Sequence, residues 1–495
     1  MLFSGVTVGR LFDEWTRLMA LTVGLVAPGA AVNFMRRRNA LHSYAAASTT
    51  GANKAWLPSN RSADQLIKND HKLMRARARS LVRDSSQVAG ALRKICNNVV
   101  FKGIHPQANF KTLSGKANVE WNNMAEAAWL KWSKAVKFHE MENLVIRHLW
   151  QDGELFVHYF FNEDLLELGI IPLGVELLEC DHLDTGKNGI SGNEIIKQGI
   201  QYNKNGKPTG YWLFPEHPGD NSWLAANSSR FIPAERIQHI FLKERISQHR
   251  GISWLAAVII EMRDFSEYQS SERIAKRLNA AFGLFVTVPY PEQLGNFSPF
   301  GGDGKAMTAD QIPDYMESGK IQQLPPGMKI ESPDMDRPGV TYEPYTKVSL
   351  RGASTGMNMS YEAYSNDYSD ASYSSARSAS LEERRGYQVQ QFILAERLHQ
   401  DVWPRMWAMN RLSQTVRLPD SIPVVWQMPG WPWVDPFKDS KAAEQDLKNG
   451  LTSRRKLCSE RGVDYDEIKD DLKREREDGF STDQTGGKSD EKGDK

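Results

Sequence analysis

Residues Asn358–Arg385 read NMSYEAYSNDYSDASYSSARSASLEERR, a stretch rich in Tyr, Ser, Asn and Asp and almost without aliphatic side chains. Its backbone N–H and C=O groups cannot be hidden in an apolar core without partners, so the segment has to face water or a water-filled passage. It runs directly into a helical pattern, Ala376–Leu412, that carries Leu394, Leu398, Val402, Met406 and Met409. Pro404 lies inside that pattern and is expected to kink it.

Charge narrows what such a loop can serve. The formal net charge is +1 over 495 residues. Gripping DNA requires many Lys and Arg against phosphates, so the balance argues against a strong nucleic-acid clamp and fits passage better than capture. Between Met35 and Lys102 basic residues dominate: Arg36, Arg37, Arg38, Arg75, Arg77, Arg79, Arg83, Arg93 and Lys94 against Asp64, Asp70 and Asp84. Two readings stand for this stretch, a nucleic-acid patch and a solvated or intersubunit helix face; Arg75, Arg77 and Arg79 cannot all share one face. Cys96, Cys180 and Cys458 form no C-x-x-C pair, which indicates neither a zinc knuckle nor a disulfide framework and suits synthesis in a reducing cytoplasm. The apolar run Leu18–Phe34 is broken by Pro28-Gly29 and preceded by Asp13 and Glu14, so neither a signal peptide nor a membrane span is expected.

The length allows about two to four subregions. Residues 60–100 read as helix behind a Ser62 cap, and Ala117–Trp132, continuing to Trp150, as another, with Trp121, Trp129 and Trp132 as core or subunit-contact residues. From Glu154 to Leu242 the apolar runs LFVHYFF, VELLEC, IIKQGIQY, TGYWLF and IQHIFL have strand length, and Asn205-Gly206 marks a hairpin. A helix from Ile252 to Phe282 follows, about 45 Å long at ~1.5 Å per residue. Its stripe of Leu255, Val258, Ile259, Met262, Phe265, Ile274 and Leu278 needs a neighbour, for which the same helix of an adjacent subunit is one candidate. LFVTV and MKIES read as strands on either side of a Gly/Pro/Phe loop and a short helix at Ala309–Met316, Leu418–Phe437 as extended, and Ser440–Gly479 as helix broken near Gly450 and Gly462. The last sixteen residues have a disordered composition.

Catalytic patterns are weak. Gly486-Gly487-Lys488-Ser489 lacks the first Walker glycine, position 482 being Thr. Cys180, Asp181, His182 and Asp184 follow a strand and offer alternating ligands, yet no second cluster accompanies them; a turn with a satisfied histidine is expected. His139-Glu140 has no second histidine for H-E-x-x-H. Glu362, Asp367 and Asp370 could bind Mg²⁺ in the manner of nuclease carboxylates, which leaves a metal-dependent nucleic-acid-processing enzyme as the alternative. No cofactor, metal site or catalytic residue is expected.

The opening loop resembles the segment before the long wing helix of lambda-family tailed-phage portal proteins, through Met359, Ser360, Tyr361, Glu362, Ser365, Tyr368, Ser372, Tyr373, Ser374, Ser375, Ala376 and Arg377. WLPSNRSADQLIKNDHKLMRARARSLVRDSSQVAGALRKICNNVVFKGIHPQ is similar to the family's N-terminal block, with Phe101-Lys102-Gly103 where the family commonly has Gly-x-Gly. GWPWVDPFKDSKAAEQDLKNGLTSRRKLCSERGVDYDEIKDDLKRERE resembles its ending, and the blocks lie in the family's order over most of residues 30–480.

The resemblance implies an α+β, ring-forming portal fold with a mixed α/β wing, a long α-helical stem, a small α/β clip and an α-helical crown. It implies the following division: 1–29 an N-terminal segment, 30–250 wing, 251–283 first stem helix, 284–335 clip and 336–355 second stem helix. Residues 356–376 become a tunnel loop, 377–437 wing helix and Pro/Trp-rich segment, 438–479 a crown-like region and 480–495 a tail. The expected partners are further copies of the chain in a ring, usually of twelve, together with the terminase large subunit, head-completion adaptors, and the major capsid protein and scaffold. Double-stranded DNA would pass non-specifically, no membrane is involved, and the place is the capsid portal vertex of the virion after assembly in the host cytoplasm. Asn358, Ser360, Tyr361, Tyr364, Ser365, Asn366, Asp367, Tyr368, Asp370 and Tyr373 would line the tunnel, and Leu255, Ile259, Met262, Phe265 and Leu278 would pack the stem. Such a lining offers hydroxyls for weak, exchangeable contacts and carboxylates that repel phosphate.

Overall fold

The computed structural model describes residues 55, 58, 60–112, 114–220, 228–281, 285–287, 329–331, 342–413 and 418–478. The apolar run Leu18–Phe34, most of 284–335 and the tail after 478 lie outside the described residues. Two compact units divide the chain, Met1–Leu66 and Ile67–Lys495. In the first, Ser62 Oγ accepts a hydrogen bond from the Gln65 N–H at 3.4 Å, as its expected capping role requires.

The helical region before the strands is cut where local chemistry demands it. α1 (Ala63–Asp84) ends at Ser85, which turns out of the helix and caps α2 (Ser86–Val99). The two read as one helix in sequence because the apolar spacing passes through the break. β1 (His105–Ala108) precedes α3 (Val119–Ala135), and Lys137, in the left-handed region at φ 54°, separates α3 from α4 (Phe138–Gln151). α3 and α4 likewise read as one helix in sequence, since apolar spacing continues across Lys137. Trp129 and Trp132 are buried, with ring centroids 5.3 Å apart and Phe138 as close to Trp129. Aromatic burial of this kind supplies about 1.5–3 kcal/mol per side chain.

β2 (Glu154–Phe161) is the centre of a three-stranded antiparallel sheet, flanked by β3 (Leu173–Glu179) and β9 (Ile237–Phe241). A five-residue helix, α5 (Glu163–Glu167), joins β2 to β3. Strand alternation divides β2 between two cores. Leu155, Val157 and Tyr159 join the main core, whereas Phe156 joins a second cluster with Cys180, Ile200, Tyr211, Leu213 and Ile237. That second cluster backs an antiparallel meander of β4 (Gly189–Ser191), β5 (Glu194–Lys197), β6 (Ile200–Tyr202), β7 (Pro208–Leu213) and β8 (Arg230–Pro233). The expected turn at Asn205-Gly206 is present, with Gly206 at φ 73° and the Asn203 side chain accepting from the Asn205 and Lys207 N–H groups.

α6 (Ile259–Ala281) is the helix expected over Ile252–Phe282, but it begins seven residues later. Its length is about 34 Å rather than 45 Å. Residues 254–258 form turns because Ser253 Oγ donates to Trp150 O at 3.0 Å and accepts from Leu255 N–H at 3.2 Å, so the chain is held to α4 before it coils. The short strands β10 (Phe285–Thr287) and β11 (Lys329–Glu331) pair antiparallel, as their patterns indicate.

α7 (Tyr342–Gly356), α8 (Tyr361–Ser365) and α9 (Tyr373–Leu394) follow. A π-turn at Ala395–His399 then leads into α10 (Gln400–Ser413). Pro404 cannot donate to the Gln400 carbonyl. α10 continues through Pro404, and the irregular part of the helical ladder lies one turn earlier, where Gln400 N–H bonds back to Ala395 O. His399 Nε2 meets the buried Glu142 carboxylate at 2.6 Å there, which ties the π-turn to α4. β12 (Val424–Gln427) pairs with β1, and α11 (Pro436–Lys448), α12 (Arg454–Glu460) and α13 (Tyr465–Glu477) close the described chain, broken at Gly450 and Gly462 as expected. Among the described residues no helix is long and apolar enough to cross a membrane.

Candidate functional site

The polar loop is more structured than its composition suggests, because its serines, asparagines and aspartates satisfy its own backbone. Ser360 caps α8, accepting from Ala363 N–H at 3.1 Å, and Asn366 ends it in the left-handed region at φ 58°. Asp367 accepts from Ser369 N–H at 3.1 Å, from Ser369 Oγ at 2.7 Å and from the Tyr361 hydroxyl at 2.8 Å. These hydrogen bonds hold the Asp367 carboxyl down at about 2. Ser372 and Ser375 form a reciprocal capping box that starts α9 at Tyr373, three residues before the helical pattern read from sequence.

Neighbouring elements tie the loop at both ends. Glu383 of α9 accepts the Ser360 N–H at 2.6 Å. Lys94 of α2 reaches Ala363 O and the Asn366 side chain. Lys347 of α7 pairs with Asp370 at 2.9 Å and with Glu343 at 3.0 Å, interactions that raise its pKa. Arg351 lies over the Tyr361 ring at 5.2 Å, and Arg377 pairs with Asp439 at 2.7 Å.

The candidate lining residues therefore separate into two groups. Tyr364 is buried and donates its hydroxyl to Met262 Sδ at 3.3 Å, so it packs on α6 rather than facing solvent; burial raises its pKa. Ser360, Tyr361, Ser365 and Asp367 are half-buried and engaged inside the loop, and Asn358 and Asn366 are exposed at left-handed turns. Tyr368 and Tyr373 keep 56% and 62% of their surface exposed, and Asp370 is exposed beside them. Tyr368–Tyr373 is thus the stretch that presents hydroxyls and a carboxylate outward.

The α6 stripe finds its neighbour in its own chain. Leu255, Ile259, Met262 and Phe265 belong to the main core with Leu350, Ala353 and Met357 of the α7 region and Tyr364 of α8. The Leu278 side chain lies outside the described residues. Ile274, expected on the stripe, is instead exposed with Ile260 on the other side of the helix, because the main core along α6 ends near Phe265.

The root of α6 holds a charged cluster that no sequence pattern announces. Glu154, at the first position of β2, is fully buried. Its carboxylate accepts from Arg250 Nε at 2.8 Å, Gly251 N–H at 2.8 Å and His239 Nε2 at 2.9 Å, with His71 Nε2 at 3.8 Å. Burial alone would raise its pKa, but Arg250, His239 and His71 overcome that and hold it well below the usual carboxylate range. Gly153 and Gly251 let the two backbones touch; a Cβ on Gly251 would lie 2.1 Å from Gly153 O.

Of the positions weighed for catalysis or metal binding, Asp181 alone falls, among the described residues, in a cluster with ligand spacing, and arginines already occupy that cluster. Arg75 and Arg79, read as part of a basic stretch, turn inward against Asp181, Asp152 and Glu179, and Arg77 on the other side of α1 is exposed. Glu179, Asp181 and His217 form the one cluster among the described residues with metal-ligand spacing, and Arg79 already lies 2.7 Å and 2.9 Å from its two carboxylates. His182 Nδ1 is satisfied by Phe214 O at 3.0 Å, and Asp184 accepts from Ser229 Oγ at 2.6 Å, as a closed turn requires. Asp367 and Asp370 are committed to different partners, and with Glu362 they form no ligand cluster among the described residues.

Comparison with known proteins gives these features a family. The pattern of the family described as "Phage portal protein, lambda family" matches residues 49–391. The probable portal protein of Halomonas phage phiHAP-1 is 29% identical over 455 residues, covering 86% of each chain. Portal protein B of Escherichia phage lambda is 22% identical over 465 residues, covering 84% of this chain and 86% of that one. Among solved structures, a chain from the neck of an empty GTA particle computed with C6 symmetry aligns over 84% of this chain and 99% of its own, at 12% identity and a TM-score of 0.41. The family pattern spans the loop and the α2 and α7 helices that tether it, and the chain belongs to the lambda family of phage portal proteins, non-enzymatic virion components that connect head to tail and pass DNA.

Proposed function

We propose that copies of this chain close into a ring, usually of twelve, and that Tyr368–Tyr373 is the part of the loop that meets the DNA passing through it. The observation that carries this reading is the division within the loop. Tyr364 is spent on the core, whereas Tyr368, Asp370 and Tyr373 stand exposed at the outer end of a segment tethered on both sides. The exposed tip carries hydroxyls and no cation of its own before Arg377, and Lys347, the lysine that reaches it, is already neutralised by Asp370 and Glu343, which leaves duplex DNA little to hold strongly.

In this reading 30–250 forms the wing, α6 and α7 the stem, 284–335 the clip, 356–376 the tunnel loop, α9 with α10 the wing helix, and α11–α13 the crown-like region. The clip would dock the terminase large subunit during packaging and head-completion adaptors afterwards, with capsid protein and scaffold around the ring. The exposed Ile260, Ile274 and Val348 of α6 and α7 are side chains that a neighbouring copy would cover.

Tyr368→Ala with Tyr373→Ala tests the loop assignment. Rings should assemble normally, and virions should carry or retain less DNA. Virions with unchanged DNA content would overturn it.

A further inference from the structure

Arg377, near the start of α9, and Asp439, near the start of α11, are 62 positions apart in the chain, and a charge cluster joins them. Arg377 Nη2 donates to Asp439 Oδ1 at 2.7 Å, with its Nη1 3.9 Å from Asp435 Oδ2. Both carboxylates also organise α11. Asp435 caps it by accepting from Lys438 N–H at 3.2 Å, and Asp439 Oδ2 accepts from Asp435 N–H at 3.1 Å. The three side chains are only about a quarter exposed.

What the cluster holds is otherwise weakly attached. No residue of α11, α12 or α13 is buried. α12 and α13 gain a backbone anchor at Gly430, where a Cβ would lie 2.2 Å from Glu460 O, and a hydrogen bond from Gln427 to Ser459 O at 3.0 Å. α11 lies within the loop which that anchor closes, between Gly430 and Glu460, and meets α9 through Arg377.

We propose that the Arg377–Asp439 pair, with Asp435, is a clasp that couples the order of the polar loop's C-terminal end to the order of α11, so that loosening either one loosens the other. The helix dipole acting alone would give a different sign, and local contacts such as Arg377 with Tyr373 would act only on the helix that carries the substitution. Arg377 sits near the N-terminus of α9, where a cation is unfavourable, so removing it should tighten α9 if the dipole alone matters. Asp439 is favourable near the N-terminus of α11, so its loss acting locally would loosen α11 and leave α9 unchanged.

The test is amide hydrogen exchange on the full chain with Arg377→Gln, Asp439→Asn and the double variant. The clasp predicts that each single variant speeds exchange about two- to tenfold in both segments, 372–378 and 436–448. The double variant should be no worse than the stronger single one, because the two changes remove one interaction. Exchange in β2 and β9 should stay as in the unaltered chain, which reports an intact core. Effects confined to the segment that carries the substitution, slower exchange around 372–378 in Arg377→Gln, or additive effects in the double variant would each overturn the clasp. The outcome does not depend on whether the loop meets DNA.

Discussion

Replacing Glu154 by Gln should unfasten the root of α6. The carboxylate is fully buried and meets Arg250 Nε at 2.8 Å, with Gly251 N–H and His239 Nε2 completing its shell. Gln keeps the shape and one acceptor oxygen but removes the charge, and Arg250, only 2% exposed, would be left as an uncompensated buried cation. Breaking one side of a buried ion pair costs about 3–5 kcal/mol. At ~1.4 kcal/mol per factor of ten, local opening becomes about a hundred- to a few thousandfold more frequent. Amide exchange at Gly251–Leu255 reads this directly, since the Gly251 N–H itself bonds to Glu154. Glu154→Leu with Arg250→Met should recover most of the loss, because removing both charges leaves neither one stranded. Exchange in Glu154→Gln that matched the unaltered chain, or a double variant worse than the single one, would refute the claim that the pair fastens β2 to α6.

Three further outcomes follow from the same geometry. Burial holds the His71 imidazole down to about 4, with Arg250 and Arg75 pushing the same way against Glu154, and the neutral ring donates to Gly251 O while accepting from Arg75. A folded pKa below the unfolded value means stability is lost as pH falls from about 6.5 towards 4, by about 3 kcal/mol in all, so His71→Asn should flatten that part of a urea-midpoint profile, and an unchanged profile would contradict the assignment. Leu255→Asp and Tyr364→Ala should lower the stability of the single chain, by about 3–5 kcal/mol for Tyr364→Ala, because both residues lie in its own core; an altered chain that melts normally yet fails only to assemble would place them at a subunit contact instead. Asp370→Asn should loosen residues 366–371 in exchange measurements at low salt and much less at high salt, since its partner Lys347 is held through an exposed pair; salt-independent loosening would show that the pair is not the tether.

Much of the architecture was legible because it rests on periodicity and turn chemistry. The strand runs between Glu154 and Leu242, the Asn205-Gly206 turn and the breaks at Gly450 and Gly462 all signal locally. The breaks at Ser85 and Lys137 were hidden, since apolar spacing continues across them while one residue leaves helical geometry. The late start of α6 was hidden too: it depends on Ser253 bonding to Trp150 O, about a hundred positions away in sequence. Within the loop, sequence gave the polarity but not the division of labour. Tyr364 and Tyr368 look alike in the string, and only the position of Met262 decides which is buried. The tethers Lys94, Lys347 and Glu383 and the Glu154–Arg250 pair carry no motif, because each partner lies on a different element. Arg75 and Arg79 misled for the converse reason, as their carboxylate partners come from the far end of β3 and beyond.

The most direct measurement is an image reconstruction of the purified, assembled chain at a resolution that traces side chains around the central opening. The account predicts an annular particle whose bore is as wide as a DNA duplex and is lined by Tyr368–Tyr373 of every copy, with Tyr364 turned away into each subunit's own core. A ring whose bore is formed by other residues, with Tyr368 and Tyr373 sealed between subunits, would contradict it.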